Sequence, residues 1–479
     1  MTYSLLYEPW IPVRKSGRLA QVGLIALFKN WESIQDVSAA NPPRQIALYR
    51  FLIAIVHAAL RGPRSASAYQ QLWEQDDLGT QIYTYLEKWA ERFDLQHPER
   101  PFLQSPDIAG SVGETAIGKA VYQDANTPII WFKPGDTPWL TAADAAQELL
   151  RMQSLELGGR KSDLVTAGPG RWTQGRHVFP SGTCLRETLL LNLAEYEPED
   201  TDLPVWESQT PIGSGERYPK GYLDWLTFCE RRILLSWAGD RATHLRLASG
   251  WKPDPLANVN FDHHQAFRLT DSGWFPKPLS PERQVWEDSE ALLHTVVEQR
   301  ERPKIFNWLI QTVGLLDPQP VRILGFAHAG GTQAAKPVHW VDDALAIPEA
   351  VLEDVDVWRW VEEALALARD FGKVFGSVTV KRAGERLDRG TQKILIAQMP
   401  TLQAAMHTYI AQKFPRLMLD VADQKQAPAV LKRWRQELRQ HALKLAKMLH
   451  TALPDFRSRA VVESLFAQAI HTVAKEKAA

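Results

Sequence analysis

Apolar positions along this chain follow two rhythms. Up to about residue 350, short β-rich runs alternate with helical patches, punctuated by Thr127-Pro128, Lys133-Pro134-Gly135, Gly168-Pro169-Gly170 and Pro276-Lys277-Pro278. Pro and Gly at that density end elements early, so the pattern predicts an irregular mixture of short strands and helices. Helices are expected near Arg44–Arg61, Ala66–Phe93, Thr141–Leu155 and Leu185–Leu193. The most apolar stretch, Ile46–Leu60, contains Arg50 and His57 and is too short to span a bilayer, so it reads as a buried helix.

After Pro348 the rhythm lengthens into four amphipathic segments, Leu352–Phe375, Leu387–Lys413, Pro428–Leu453 and Arg457–Lys477. Trp358, Val361, Leu365 and Ala368 recur at helical spacing, as do Leu431, Trp434, Leu438, Leu445 and Leu449, and both stripes read as core. Outside the second stripe, Lys432, Arg433, Arg435, Arg439, Lys444 and Lys447 meet only Glu437, a face able to track phosphates. The expected class is α+β. A large irregular mixed domain, residues 1–350, precedes a C-terminal four-helix bundle, residues 351–479; there is no fixed-period repeat or low-complexity tract.

A length of 479 residues suits two domains. The net charge of −1 conceals a division: residues from Val355 onward hold 21 Lys and Arg against 12 Asp and Glu (+9), the rest 34 against 44 (−10). A basic C-terminal quarter suggests a polyanion there, although a solvated helical surface can also be basic. Cys184 and Cys229 cannot build a disulfide framework or a four-cysteine metal site, and no signal-peptide pattern opens the chain. A reducing cytoplasm, with no membrane association and no cofactor, is the expectation.

Enzyme signatures are absent: there is no phosphate-binding loop of the Walker type, no nucleophile elbow, no His-Glu-x-x-His and no Cys-x-x-Cys. Asp262-His263-His264 is the nearest approach to a metal or acid–base cluster. Adjacent side chains rarely converge on one ion, so a loop or surface role is expected and no metal site is assigned. Glu197, Glu199, Asp200 and Asp202 read as a solvated acidic turn. Residues 158–186 combine Gly158, Gly159, Gly168, Gly170, Gly175 and Gly182 with Arg160, Lys161, Arg171, Arg176 and Arg186 against one acid, Asp163. Glycines admit close backbone approach and the cations attract phosphate; the alternative is a flexible solvent loop.

The run Leu5-Leu6-Tyr7-Glu8-Pro9-Trp10-Ile11-Pro12-Val13 resembles the opening of the large-subunit (CasA) family of the type I-E CRISPR Cascade complex. The resemblance continues through His97-Pro98-Glu99-Arg100-Pro101-Phe102, Leu185–Leu193, Leu203-Pro204-Val205-Trp206-Glu207 and Gly330-Gly331-Thr332-Gln333-Ala334. It implies a non-catalytic protein that senses the protospacer-adjacent motif (PAM) in duplex DNA while a guide RNA reads the target. By that resemblance Gly158 and Gly159, beside Arg160 and Lys161, form a minor-groove loop, and Thr332 and Gln333 tip a wedge that starts strand separation. A basic finger falls near Arg241, His244 and Arg246, before Gly250-Trp251-Lys252-Pro253, with alternating surface cations on a strand as the other reading. Asn126, Trp131 and Phe132 occupy the place of a docking loop, or belong to the core. Implied partners are the backbone, handle-capping and small Cascade subunits, guide RNA, target duplex with PAM, the displaced strand along Lys432, Arg433, Arg435 and Arg439, and a helicase-nuclease. Two further readings stay open: a hydrolase or nuclease with an unrecognised metal site around Asp262, and a scaffold subunit that never touches DNA.

Overall fold

The computed structural model describes residues 2–120, 139–156, 168–173, 175–197, 199–277, 285–288, 302–312, 321–329, 339–348, 350–351, 354–376 and 387–475. The chain is a mixture of helix and strand, as an α+β reading requires. It divides into two compact units: Met1–Glu282 with Glu298–Asp317 and Arg322–Ala344, and Leu345–Ala479 with Arg283–Val297 and Pro318–Val321.

The large unit is built around the apolar run singled out above. Asn41 accepts a hydrogen bond from the Arg44 amide and Pro42-Pro43 supply the first turn, so the helix starts at Pro42 and continues to Leu60. It is buried nearly all round, with Arg50 and His57 fully inside. A second helix, Ala142–Leu155, lies against it, joined through the buried chain Arg44–Glu148–Arg151–Glu156, with contacts of 2.7, 2.5 and 2.8 Å. Leu5, Leu6, Trp10, Ile11 and Val13 of the N-terminal signature are all fully buried, and Trp10 Nε1 donates to the Leu5 carbonyl at 2.8 Å.

The helix expected over Ala66–Phe93 is two helices, Ala66–Glu74 and Leu78–Lys88, followed by a 3₁₀ turn. The break has a tertiary cause. Arg186, from a distant helix, donates to the carbonyls of Leu72, Trp73 and Gln75 and so closes the first helix. Gly79 lets the second begin against the Phe28 carbonyl, where a Cβ would come within 2.6 Å.

Strands form small separate sheets. A tight hairpin, Arg231–Ala238 with Arg241–Ser249, turns at Gly239-Asp240, where Gly239 adopts φ +65°. Arg176–Ser181 pairs antiparallel with Val321–Ala329, which is bonded in turn to His339–Ile347.

In the second unit four helices pack on one another: Val355–Gly372, Arg389–Val421, Ala427–Met448 and Phe456–Ala474. The side chains of Asp354, Asp388 and Asp455 cap three of their N-termini. Both apolar stripes are buried as expected, and Trp434 Nε1 reaches the Ala364 carbonyl at 3.3 Å. The second helix outruns the expected end at Lys413, continuing through Pro415 to Val421. Its buried row Ile410, Phe414, Leu417, Met418 and Val421 outweighs the hydrogen bond that proline removes.

Candidate nucleic-acid interface

Arg176–Ser181 begins just after residues 168–173 and pairs with Val321–Ala329 so that Ala327 lies opposite Arg176. The strand leading towards Gly330 therefore ends where the stretch after the glycine segment enters the sheet. Residues 168–173, which follow the glycine-rich stretch, thus lead into the sheet end from which the chain departs towards Gly330. Gly158, Gly159, Arg160, Lys161, Thr332 and Gln333 themselves lie outside the described residues, as do Asn126, Trp131 and Phe132.

A fully buried polar cluster supports that sheet end. Asp262 pairs with Arg50 at 2.9 Å and accepts from Trp172 Nε1 at 2.9 Å and from the His264 amide at 2.9 Å. Arg50 also contacts His177 Nδ1 at 2.9 Å and lies over the Trp172 ring. Desolvation opposes ionisation of Asp262, but Arg50 overcomes it and holds the carboxyl well below its usual range. His264, stacked on Phe179, is pushed down by burial and stays neutral. The surface-loop expectation for Asp262-His263-His264 is thus corrected for Asp262 and His264, which are core. Among the described residues no group of three or more His, Cys, Asp or Glu could hold a metal ion.

Two further expectations change. Asp202 belongs to no solvated turn: it is buried and accepts from Tyr196 Oη and the amides of Leu223 and Asp224 at 2.8–3.0 Å. Nor are Arg171, Arg176 and Arg186 a phosphate-attracting set. Arg171 is buried against Glu230, the Trp225 and Phe228 carbonyls and the Trp172 ring, Arg176 is buried, and Arg186 closes a helix. The sequence counted cations without knowing which had internal partners.

At the hairpin, Arg241 is exposed, its guanidinium 3.8 Å from the ring of the half-exposed Trp139. Arg246 is engaged with Glu114 at 3.0 Å. Sequence reasoning missed Trp139; the adjacency of Leu140–Thr141 to Arg241–Ala242 has no local signal.

In the helical unit the basic face separates into two kinds of cation. Arg433 pairs with Asp420 at 2.9 Å and Arg435 with Glu363 at 3.2 Å, each binding the third helix to a neighbour. Lys432, Arg439, Lys444 and Lys447 are exposed and make no ion pair among the described residues.

The family model of CRISPR-associated protein Cse1 matches residues 4–445. The chain belongs to the Cse1 family. That is the family of the large subunit of type I-E Cascade, so the resemblance read from the sequence holds. CasA/Cse1 of Thermus thermophilus is 28% identical, over 93% of this chain and 92% of that relative. The crystal structure of Cse1 from Acidimicrobium ferrooxidans superposes with a TM-score of 0.83 at 24% identity, covering 99% of this chain and 98% of that one. A chain of a CRISPR RNA-guided surveillance complex gives 0.74 at 18%, covering 98% and 99%. These likenesses establish that the Cse1 fold is shared. Among the described residues of this Cse1-family chain no helix is long and apolar enough to cross a membrane.

Proposed function

We propose that this chain is the PAM-sensing, non-catalytic large subunit of a type I-E surveillance complex, acting in the cytoplasm with the other Cascade subunits and a guide RNA. Residues 1–350 act as the recognition domain and 351–479 as a four-helix bundle. Gly158 and Gly159, with Arg160 and Lys161, meet the minor groove; Thr332 and Gln333 open the adjoining base pairs; Arg241 and Arg246 stand near the groove. Asn126, Trp131 and Phe132 dock the subunit, and the bundle helix carrying Lys432, Arg433, Arg435 and Arg439 follows the displaced strand. The large domain recruits the helicase-nuclease that cuts. The observation that supports this reading is the pairing of Ala327 with Arg176: the strand leading to Gly330 ends at the sheet end that the chain enters after residues 168–173. A minor-groove reader and a wedge must act within a few base pairs of each other, because melting starts beside the PAM.

The test is binding of the reconstituted complex to duplexes differing only in the PAM. Discrimination that disappears with Gly158→Arg plus Gly159→Arg, while assembly persists, supports the reading. Retained discrimination sinks it. A divalent-metal-dependent nuclease assay on the isolated chain addresses the enzyme alternative, and loss of assembly rather than of discrimination would favour a scaffold.

A further inference from the structure

Two segments that carry the family resemblance, residues 97–102 and 203–207, have no part in the function proposed above, yet the fold brings them together. They line one open cleft of about 280 Å³ in the large unit. Phe102 and Trp206 are buried wall residues, and Pro101, Pro106, Pro211 and Ile212 add further apolar surface. The same lining is as polar as it is apolar, and it includes two arginines. Arg92 is pinned, its Nε donating to the Trp206 carbonyl at 3.0 Å and one terminal nitrogen to the Ser208 carbonyl at 2.8 Å. Arg100 is exposed and makes no ion pair or side-chain hydrogen bond among the described residues.

The acids nearby do not neutralise this pair. Asp107 is engaged by Arg232, and Glu99 is exposed on the lining without a cation partner among the described residues. Burial first, and Arg100 second, push the Arg92 pKa down, as two like charges facing an unfilled space would. Two neighbouring guanidiniums on one lining, neither with an acidic partner among the described residues, point to an anionic ligand group.

We propose that this cleft docks an extended segment of a partner protein in which a carboxylate side chain stands beside an apolar one. The guanidinium fork matches a carboxylate, and the proline-rich walls accept the apolar neighbour while keeping water from the ion pair. The volume lies just under the usual range for ligand pockets, about 300–1,000 Å³, which suits a short anchor motif. A nucleic-acid strand fits less well. Tracking a backbone takes several unpaired cations along a path, whereas here Glu99 adjoins the one unpaired guanidinium of the lining, and the Phe102 and Trp206 rings are covered and cannot stack on bases.

The experiment uses the full chain and two capped, fluorescently labelled hexapeptides, one alternating Glu with Leu and the other Lys with Leu, read by fluorescence polarisation. The Glu-Leu peptide is expected to bind saturably and the Lys-Leu peptide not. Arg100→Glu should weaken the first by about tenfold or more and bring in the second, with the melting temperature unchanged because Arg100 is exposed. Arg92 is left alone because it holds the chain at Trp206 and Ser208. The proposal is overturned by no Glu-Leu binding up to about 1 mM, by binding that ignores Arg100→Glu, or by equal binding of a Glu-Gly peptide, which would leave the apolar walls without a role. It is also overturned if oligothymidylate binds with the same dependence on Arg100 and displaces the peptide, which would make the cleft a phosphate site. PAM discrimination by complexes carrying Arg100→Glu should match that of the wild type, so failure here and failure of the PAM reading are separable.

Discussion

Arg50 and Asp262 show how one pair of residues can hold a region in place. Both are fully buried, and removing one partner leaves an uncompensated charge beside Trp172, His177 and His264. Arg50→Met or Asp262→Leu alone should destabilise the large unit by about 3–5 kcal/mol, and the double variant should recover part of that loss; urea denaturation checks both. Histidines give a pH dependence of definite sign. His57, edge-on to Tyr196 and Tyr222, is pushed down to about 3 by burial, so it is neutral when folded and takes a proton on unfolding. A folded pKa below the unfolded value of about 6.5 means stability declines as pH falls from about 6.5 towards 3. From pH 6.5 to 5 the decline is expected to be about 2 kcal/mol for His57. His57→Phe should flatten urea stability against pH in that window. An unchanged slope would show that His57 has water or another partner when folded.

Among the elements, the third helix of the second unit offers a direct comparison of its two kinds of cation. Lys432 and Arg439 are exposed and make no ion pair among the described residues, whereas Arg433 and Arg435 are engaged by Asp420 and Glu363. Replacing Lys432 and Arg439 with Glu should flatten the salt dependence of displaced-strand binding by about 0.7 in log–log slope for each phosphate no longer neutralised. Arg433→Gln with Arg435→Gln should change that slope less, because both guanidiniums are already engaged by acids of neighbouring helices. Equal slopes for both double variants and wild type would show that this face touches no DNA. The second helix makes a different prediction. Pro415 lies within Arg389–Val421, where proline costs about 3 kcal/mol relative to alanine. Pro415→Ala should raise the melting temperature of the helical signal if the turn can relax; a lower one would mean that the packing of Phe414 and Met418 depends on the bend.

For the whole molecule, the proposed role makes Gln333→Ala a test of the assembled complex rather than of the fold. Opening the first base pairs costs a few kcal/mol per step, so losing the wedge should weaken binding to intact duplex and spare a target already melted beside the PAM. Equal losses on both targets would remove Gln333 from the opening step. The sheet that joins Arg176–Ser181 to Val321–Ala329 also implies coupling. Shifting that sheet end through Asp262→Leu should weaken PAM discrimination by more than assembly, measured on complexes kept well below their melting temperature.

Periodicity and composition determined much of this protein. The buried stripes of the C-terminal helices, the interior helix carrying Arg50 and the mixed texture before residue 350 could be read directly, because burying an apolar face requires a repeat that the chain displays. Short runs such as the N-terminal signature were enough to place the chain in its family. The sequence could not say which charges are spent inside. Arg171, Arg176 and Arg186 looked like a phosphate-binding set, and Asp202, Asp262 and His264 looked like surface, until tertiary structure gave them partners as far as 212 residues away or placed them in the core. It could not end the helix at Glu74 either, since Arg186 does that from another element. The register of Ala327 against Arg176, and the meeting of residues 97–102 with 203–207 around one cleft, were likewise decided by the fold. Hydrophobic pattern is a local property of the chain. The pairing of buried charges and the convergence of distant segments depend on which elements pack together, and only the folded chain specifies that.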